Sequence, residues 1–106
     1  MGFDERLAGE VVGRVLSVAA PDRIIVFGSA ATGQMTADSD IDLLVIEPSV
    51  SNARTESVRI GDALRGLGFP FDVIVMARER FEETKDVIGG IAYPASRQGT
   101  LLYEAA

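Results

Sequence analysis

The sequence predicts a small α/β domain, and three observations carry that prediction. Residues 24–27, 43–46 and 73–76 are unbroken runs of β-branched, aliphatic or aromatic side chains. Such runs suit strands buried on both faces. Between them lie stretches with helical spacing and helix-capping residues. The two kinds of segment alternate along 106 residues, the length of one domain spanning 1–106.

Each element has its own signals. Residues 4–20 read as an amphipathic helix, with Asp4 as its cap and Leu7, Val11, Val15 and Val18 on one face. Pro21 stops it, and a strand follows over 22–27. Residues 28–38 are small and polar, a loop with room for one helical turn. A second strand is expected over 40–46, closed by Glu47-Pro48. Ser51 is placed to cap a helix over 52–67, with Ile60, Leu64 and Leu67 inward and Gly66 and Gly68 at its end. A third strand covers 71–76. Residues 78–87 read as a helix of mixed charge with Phe81 and Ile88 facing inward, broken by Gly89-Gly90. A last helix over 91–98 tolerates Pro94 in its first turn or at a kink. Gly99 ends it, and 100–103 forms a short edge strand. The directions of the strands are left open by these patterns.

Composition narrows the chemistry. Hydrophobic residues make up 47% and charged residues 25%, as in a globular chain. Cysteine, histidine and tryptophan are absent. This excludes disulfides, thiolate nucleophiles, zinc sites built on Cys or His, and the commonest general base. The net charge of −6 argues against direct nucleic-acid binding, which needs a basic surface. Phosphate ligands stay possible where divalent ions supply positive charge. No apolar run reaches membrane-spanning length. The start lacks a signal-peptide pattern, and Arg6 spoils a myristoylation motif at Gly2. The expected location is the cytoplasm.

The remaining reactive groups are carboxylates, hydroxyls and backbone amides. Asp40 and Asp42 lie two apart at the mouth of an apolar strand, so both side chains point to one face. Two carboxylates there repel and need a cation. No Lys or Arg is near in sequence, and a hard ion such as Mg²⁺ suits oxygen ligands. Asp72 opens the third strand in the same way. If the two strands are neighbours, all three carboxylates can converge, the arrangement of two-metal phosphoryl transfer. Gly28-Ser29 directly follows a strand, where glycine allows close approach and the serine and following amides can face a phosphate.

Other motifs fail at particular positions. Gly28 and Gly33 have P-loop spacing, but Gln34 and Met35 replace its Lys and Ser/Thr. Asp38, Asp40 and Asp42 mimic the start of an EF-hand loop, but Leu43 replaces its Gly and Ser49 its Glu.

Taken together, Gly28-Ser29, Gly33 and Ser39-Asp40-Ile41-Asp42-Leu43-Leu44-Val45, with Asp72 beyond, resemble the signature of the polymerase-beta-like nucleotidyltransferase superfamily. Chain length and the tail with Ala95, Arg97, Gly99 and Leu102-Tyr103-Glu104 are similar to its minimal branch. The resemblance implies a small mixed central sheet flanked by helices. It implies that Asp40, Asp42 and Asp72 hold two Mg²⁺ ions and that Gly28 and Ser29 grip the phosphates of ATP or another NTP. An NMP, AMP if the substrate is ATP, would pass to a hydroxyl acceptor. In the minimal branch the acceptor is a tyrosine on a small helical HEPN toxin, which makes the nucleotidyltransferase an antitoxin; a homodimeric site is the alternative arrangement. The chain departs from the family where many members carry Arg, at Ala30 and Thr32. Losing those guanidiniums weakens phosphate contact. A module that neutralises its partner by docking alone is the competing function.

Overall fold

The computed structural model describes residues 3–33 and 39–106. Its elements run α1 (Glu5–Leu16), β1 (Arg23–Phe27), α2 (Ser29–Thr32), β2 (Ile41–Glu47), α3 (Ala53–Ala63), β3 (Phe71–Ala77), α4 (Arg78–Thr84), α5 (Ala92–Gln98) and β4 (Thr100–Glu104). The strands form one sheet in the order β3-β2-β1-β4. β1 is antiparallel to both β2 and β4, whereas β2 and β3 are parallel. The sheet is therefore mixed. A parallel pair needs a crossover between its strands, and α3 supplies it.

Side chains alternate between the two faces of the sheet, and each face has its own cluster. Ile41, Leu43 and Val45 of β2 point to the face covered by α1 and α3, where Val11, Val15, Ile60 and Leu64 are almost wholly buried. Leu44 and Ile46 point the other way, toward Phe81 of α4 and Ala92 and Ala95 of α5. Each large apolar side chain so buried contributes roughly 1.5–3 kcal/mol before chain entropy is counted. Two-sided burial explains why β2 is apolar at nearly every position after Asp42.

Local chemistry sets the ends of the helices. The Asp4 carboxylate accepts from the Leu7 amide at 2.9 Å, so the expected cap of α1 is present. The helix stops at Leu16, earlier than residue 20, although Val18 still packs on the core. α3 is capped by Asn52, whose side chain accepts from Thr55 N at 3.0 Å, and not by Ser51. It ends at Ala63 rather than near 67. Arg14 of α1 explains part of that ending, because it donates to the carbonyls of Ala63 at 3.2 Å and Arg65 at 2.7 Å. Pro94 falls in the first turn of α5, where a missing amide hydrogen costs no helical bond. Ile88 is the clear reversal. It is 80% exposed, not inward, because α4 ends at Thr84 and Gly89, with φ 117°, turns the chain.

Candidate active site

Register brings the expected residues together. Asp42 is the Cα partner of Asp72 across the parallel β2–β3 pair, and of Phe27 across the antiparallel β1–β2 pair. Phe27, Asp42 and Asp72 thus form one row across the sheet. The next row on that face is Ile25, Leu44 and Ile74. The carboxylates sit on the face that also carries α4 and α5, beyond the reach of its buried cluster. Asp40 lies just ahead of β2 rather than in it, and pairing begins with the Ile41 amide donating to Pro70 O at 2.9 Å. Asp40 and Asp72 are exposed and Asp42 is half-buried.

Electrostatics registers their proximity. The Asp42 carboxyl is pushed above its ordinary value, first by burial, then by the charge of Asp72, then by that of Asp40. The structure therefore joins in one field the three aspartates that the sequence singled out. Among the described residues, no three Asp or Glu side chains already stand at metal-ligand spacing. The strands fix the backbone positions of Asp42 and Asp72. The exposed side chains can turn about their χ angles onto an ion. An all-oxygen set under mutual repulsion fits a hard divalent cation.

The glycine turn closes the other side. Gly28 has φ 73° and ψ −149°, a backbone region that essentially only glycine occupies. A β-carbon built there would overlap Asp42 Oδ2. Glycine is therefore required twice, by the backbone and by the carboxylate lying against it. Ser29 is the first residue of α2, which begins as the chain leaves β1. Thr32 donates its hydroxyl to Gly28 O at 3.3 Å, and Gly33, with φ 77°, ends the turn. The expected helical turn in the loop is α2. Gln34, Met35 and Asp38, which figured in the rejected motifs, lie outside the described residues.

Other basic and aromatic residues are engaged elsewhere. Arg78 pairs with Asp22 at 2.7 Å and Lys85 with Glu82 at 2.9 Å, consistent with a solvated face. Tyr103 packs on the core beneath α1 and α3, and Tyr93 carries the Arg97 guanidinium 5.2 Å from its ring centre.

One titratable group escaped sequence reasoning. Glu47 ends β2 and is only 7% exposed. Burial, followed by a hydrogen bond to Glu56 and the charge of Glu56, pushes its carboxyl up to about 7. Glu56 is held below its ordinary value by the hydrogen bonds from Glu47 and Arg59. Arg59 grips Glu56 at 2.8 Å and also donates to the carbonyl of Val18. The cluster ties β2, α3 and the turn after α1 together. A charged residue closing an apolar run was the available signal, but it gave no sign of the second glutamate.

The class defined by this fold and this row of aspartates is a small α/β domain suited to metal-assisted transfer at phosphorus. The sequence profile of the nucleotidyltransferase domain matches residues 8–92. The chain belongs to that family and is a nucleotidyltransferase, and the family in general uses an NTP and a divalent metal ion. Solved structures agree in fold. A toxin–antitoxin crystallised with AMP-PNP superposes with TM-score 0.72 at 17% identity, over 92% of this chain and 73% of that one. A Sulfolobus solfataricus protein assigned as a nucleotidyltransferase gives 0.61 at 22% identity, over 93% and 78%. A toxin–antitoxin MntA-HpeT mutant gives 0.69 at 14% identity, over 92% and 73%. A search of curated protein sequences returns no match. No helix among the described residues is long and apolar enough to cross a membrane.

Proposed function

We propose that this nucleotidyltransferase moves AMP from ATP to a hydroxyl of a partner protein, acting as the antitoxin of a toxin–antitoxin pair. The observation that carries the reading is the in-register pair Asp42 and Asp72 on the open face, with the Gly28 α-carbon against Asp42. Asp40 and Asp42 would hold Mg²⁺ together with the triphosphate, and Asp72 would complete a second ion site. The bound ions would supply positive charge at the phosphates and at the acceptor oxygen. Gly28 and Ser29 would seat the phosphates. Asp72, exposed at the end of the carboxylate row, would also favour loss of the acceptor's proton. The acceptor oxygen bonds to the α-phosphorus, the bond to the β-phosphate oxygen breaks, and pyrophosphate leaves. Positioning and charge stabilisation account for such a reaction, so no histidine is needed.

The toxin–antitoxin solved with AMP-PNP and the MntA-HpeT complex support the partner reading. The MntA-HpeT mutant carries two Asp-to-Glu changes two positions apart, the spacing of Asp40 and Asp42 here. A tyrosine on a HEPN-type helical toxin is the proposed acceptor, and the cytoplasm the proposed location. The docking-only reading draws support from the absence of Lys and Arg between Arg23 and Arg54, which leaves the phosphate turn without a cation of its own. The deciding experiment incubates the chain and the protein encoded beside it with α-labelled ATP and Mg²⁺. Label should reach the partner and be lost with Asp42→Asn or Asp72→Asn. Equal labelling by the variants would sink the catalytic assignment.

A further inference from the structure

β3 is an edge of the sheet, and among the described residues its only strand neighbour is β2. The Ile41 amide donates to Pro70 O at 2.9 Å, which fixes the backbone groups of β3 that face β2. Along a strand these groups alternate in direction, so residues 70, 72, 74 and 76 turn theirs toward β2. Phe71, Val73 and Val75 therefore aim their amides and carbonyls at the open edge. Such a row is a template for a further strand, and natural edges are blunted by lysine, proline, bulges or short length. β4, the other edge, is five residues long, with an irregular register against β1 and Glu104 bonded to Arg23 at its end. β3 runs for seven residues in unbroken register, and apart from Asp72 all of them are apolar. A groove of about 310 Å³ lies beside it, lined by Ala53, Arg54 and Ser57 of α3 and by Val73, Ile74 and Val75. Two of the three α3 residues there are small, which leaves the edge open to another backbone.

We propose that the free edge of β3 pairs with the same edge of a second copy of this chain, antiparallel about a two-fold axis at Ile74, and joins the two four-stranded sheets into one. This pairing is independent of what the acceptor is. Two observations select a second copy. Residues with outward backbone groups must face one another, and centring on Ile74 sets Val73 opposite Val75, Phe71 opposite Ala77 and Ile74 opposite itself. All of β3 is then used, and these apolar side chains meet apolar side chains on the same face. Charge selects the same register. Asp72 falls opposite Met76, so the two Asp72 carboxylates stand roughly 13 Å apart along the strands. Centring on Asp72 would set like charges face to face. β3 is thus complementary to itself, as a two-fold contact requires. Both aspartate rows then lie on one face of the joined sheet, and Met76 of each copy stands beside Asp72 of the other.

The test uses the full chain by itself. Sedimentation equilibrium should give twice the 11.3 kDa monomer mass at about 100 μM and a falling mass toward about 1 μM, as for a micromolar Kd. Amide hydrogen exchange at the two concentrations reads the edge directly in the unaltered protein. The amides of Val73 and Val75 should exchange at least ~10-fold more slowly in the concentrated sample, while those of β4 should not change. Ile74→Lys and Ile74→Glu each put like charges across the axis and should weaken dimerisation by about 10-fold or more. Mixed in equal amounts, the two variants should pair with each other more tightly than either pairs with itself. A monomer at about 100 μM would overturn the pairing. So would a dimer whose Val73 and Val75 amides exchange equally at both concentrations, or a variant mixture that associates no better than its parts. Protection of those amides only on adding the protein encoded beside this chain would assign the edge to that protein and also overturn it. If neither Ile74 variant folds, the exchange comparison on the wild type decides.

Discussion

Replacing Glu47 with glutamine removes a buried acid that titrates near neutrality while keeping a side chain able to donate to Glu56. In the folded protein the Glu47 carboxyl gives up its proton only at about 7, against 4.5 for the same group in its ordinary setting. Between those values the folded form holds a proton that the unfolded chain has released. Stability conferred by Glu47 is therefore complete below 4.5 and is lost as the pH rises to about 7. At ~1.4 kcal/mol per pH unit the interval caps the loss at about 3 kcal/mol. Glu56 is shifted the opposite way, so its own contribution changes only below about 4.5 and offsets none of the loss between pH 5 and 8, which is about 2 kcal/mol. Urea unfolding at pH 5, 6, 7 and 8 measures this directly. Wild type should lose that amount from pH 5 to 8, whereas Glu47→Gln should lose little and exceed wild type at pH 8. For a domain of this size the difference corresponds to a Tm gap of roughly 5–10 °C. A wild-type profile that is flat from pH 5 to 8, or one that Glu47→Gln leaves unaltered, would refute the coupling between Glu47 and Glu56.

Three further outcomes follow from the geometry. Asp42→Asn should lower nucleotidyl transfer by at least ~10²-fold in a labelled-ATP assay. Its melting temperature at pH 7.5 should match or exceed wild type, because a crowded charge is removed; a large stability loss would mean that Asp42 is structural. Gly28→Ala should cost about 2–3 kcal/mol in urea unfolding from backbone strain and the overlap with Asp42, and should reduce AMP-PNP binding. Asn52→Ala should destabilise the protein by about 1 kcal/mol and Ser51→Ala by less than about 0.5, since Asn52 caps α3; the reverse order would move the cap.

Legibility varied with the range of the interaction involved. Caps and turns act within four residues, so Asp4, Pro94 and the short turn after Gly28 were readable. Helix ends were less so. The ending of α3 involves Arg14, 49 residues from Ala63, and no local pattern encodes that contact. Ile88 followed a helical period that continued on paper after the helix itself had stopped at Thr84. Glu47 read only as the residue closing a strand, and its burial beside Glu56 and Arg59 of α3 depends on how α3 packs.

The sequence by itself determined the strands and the fold class, and it singled out the carboxylates as the candidate reactive groups. Those follow from apolar runs buried on both faces, and from a chain in which histidine and cysteine leave the work to carboxylates. Only the tertiary structure decided that β2 and β3 run parallel and in register, which sets Asp42 beside Asp72. It alone laid Asp42 against Gly28 and left Val87 and Ile88 in water. The physical reason is that a side chain's type and spacing are local properties. Strand pairing, burial and charge proximity depend on what the rest of the chain brings alongside.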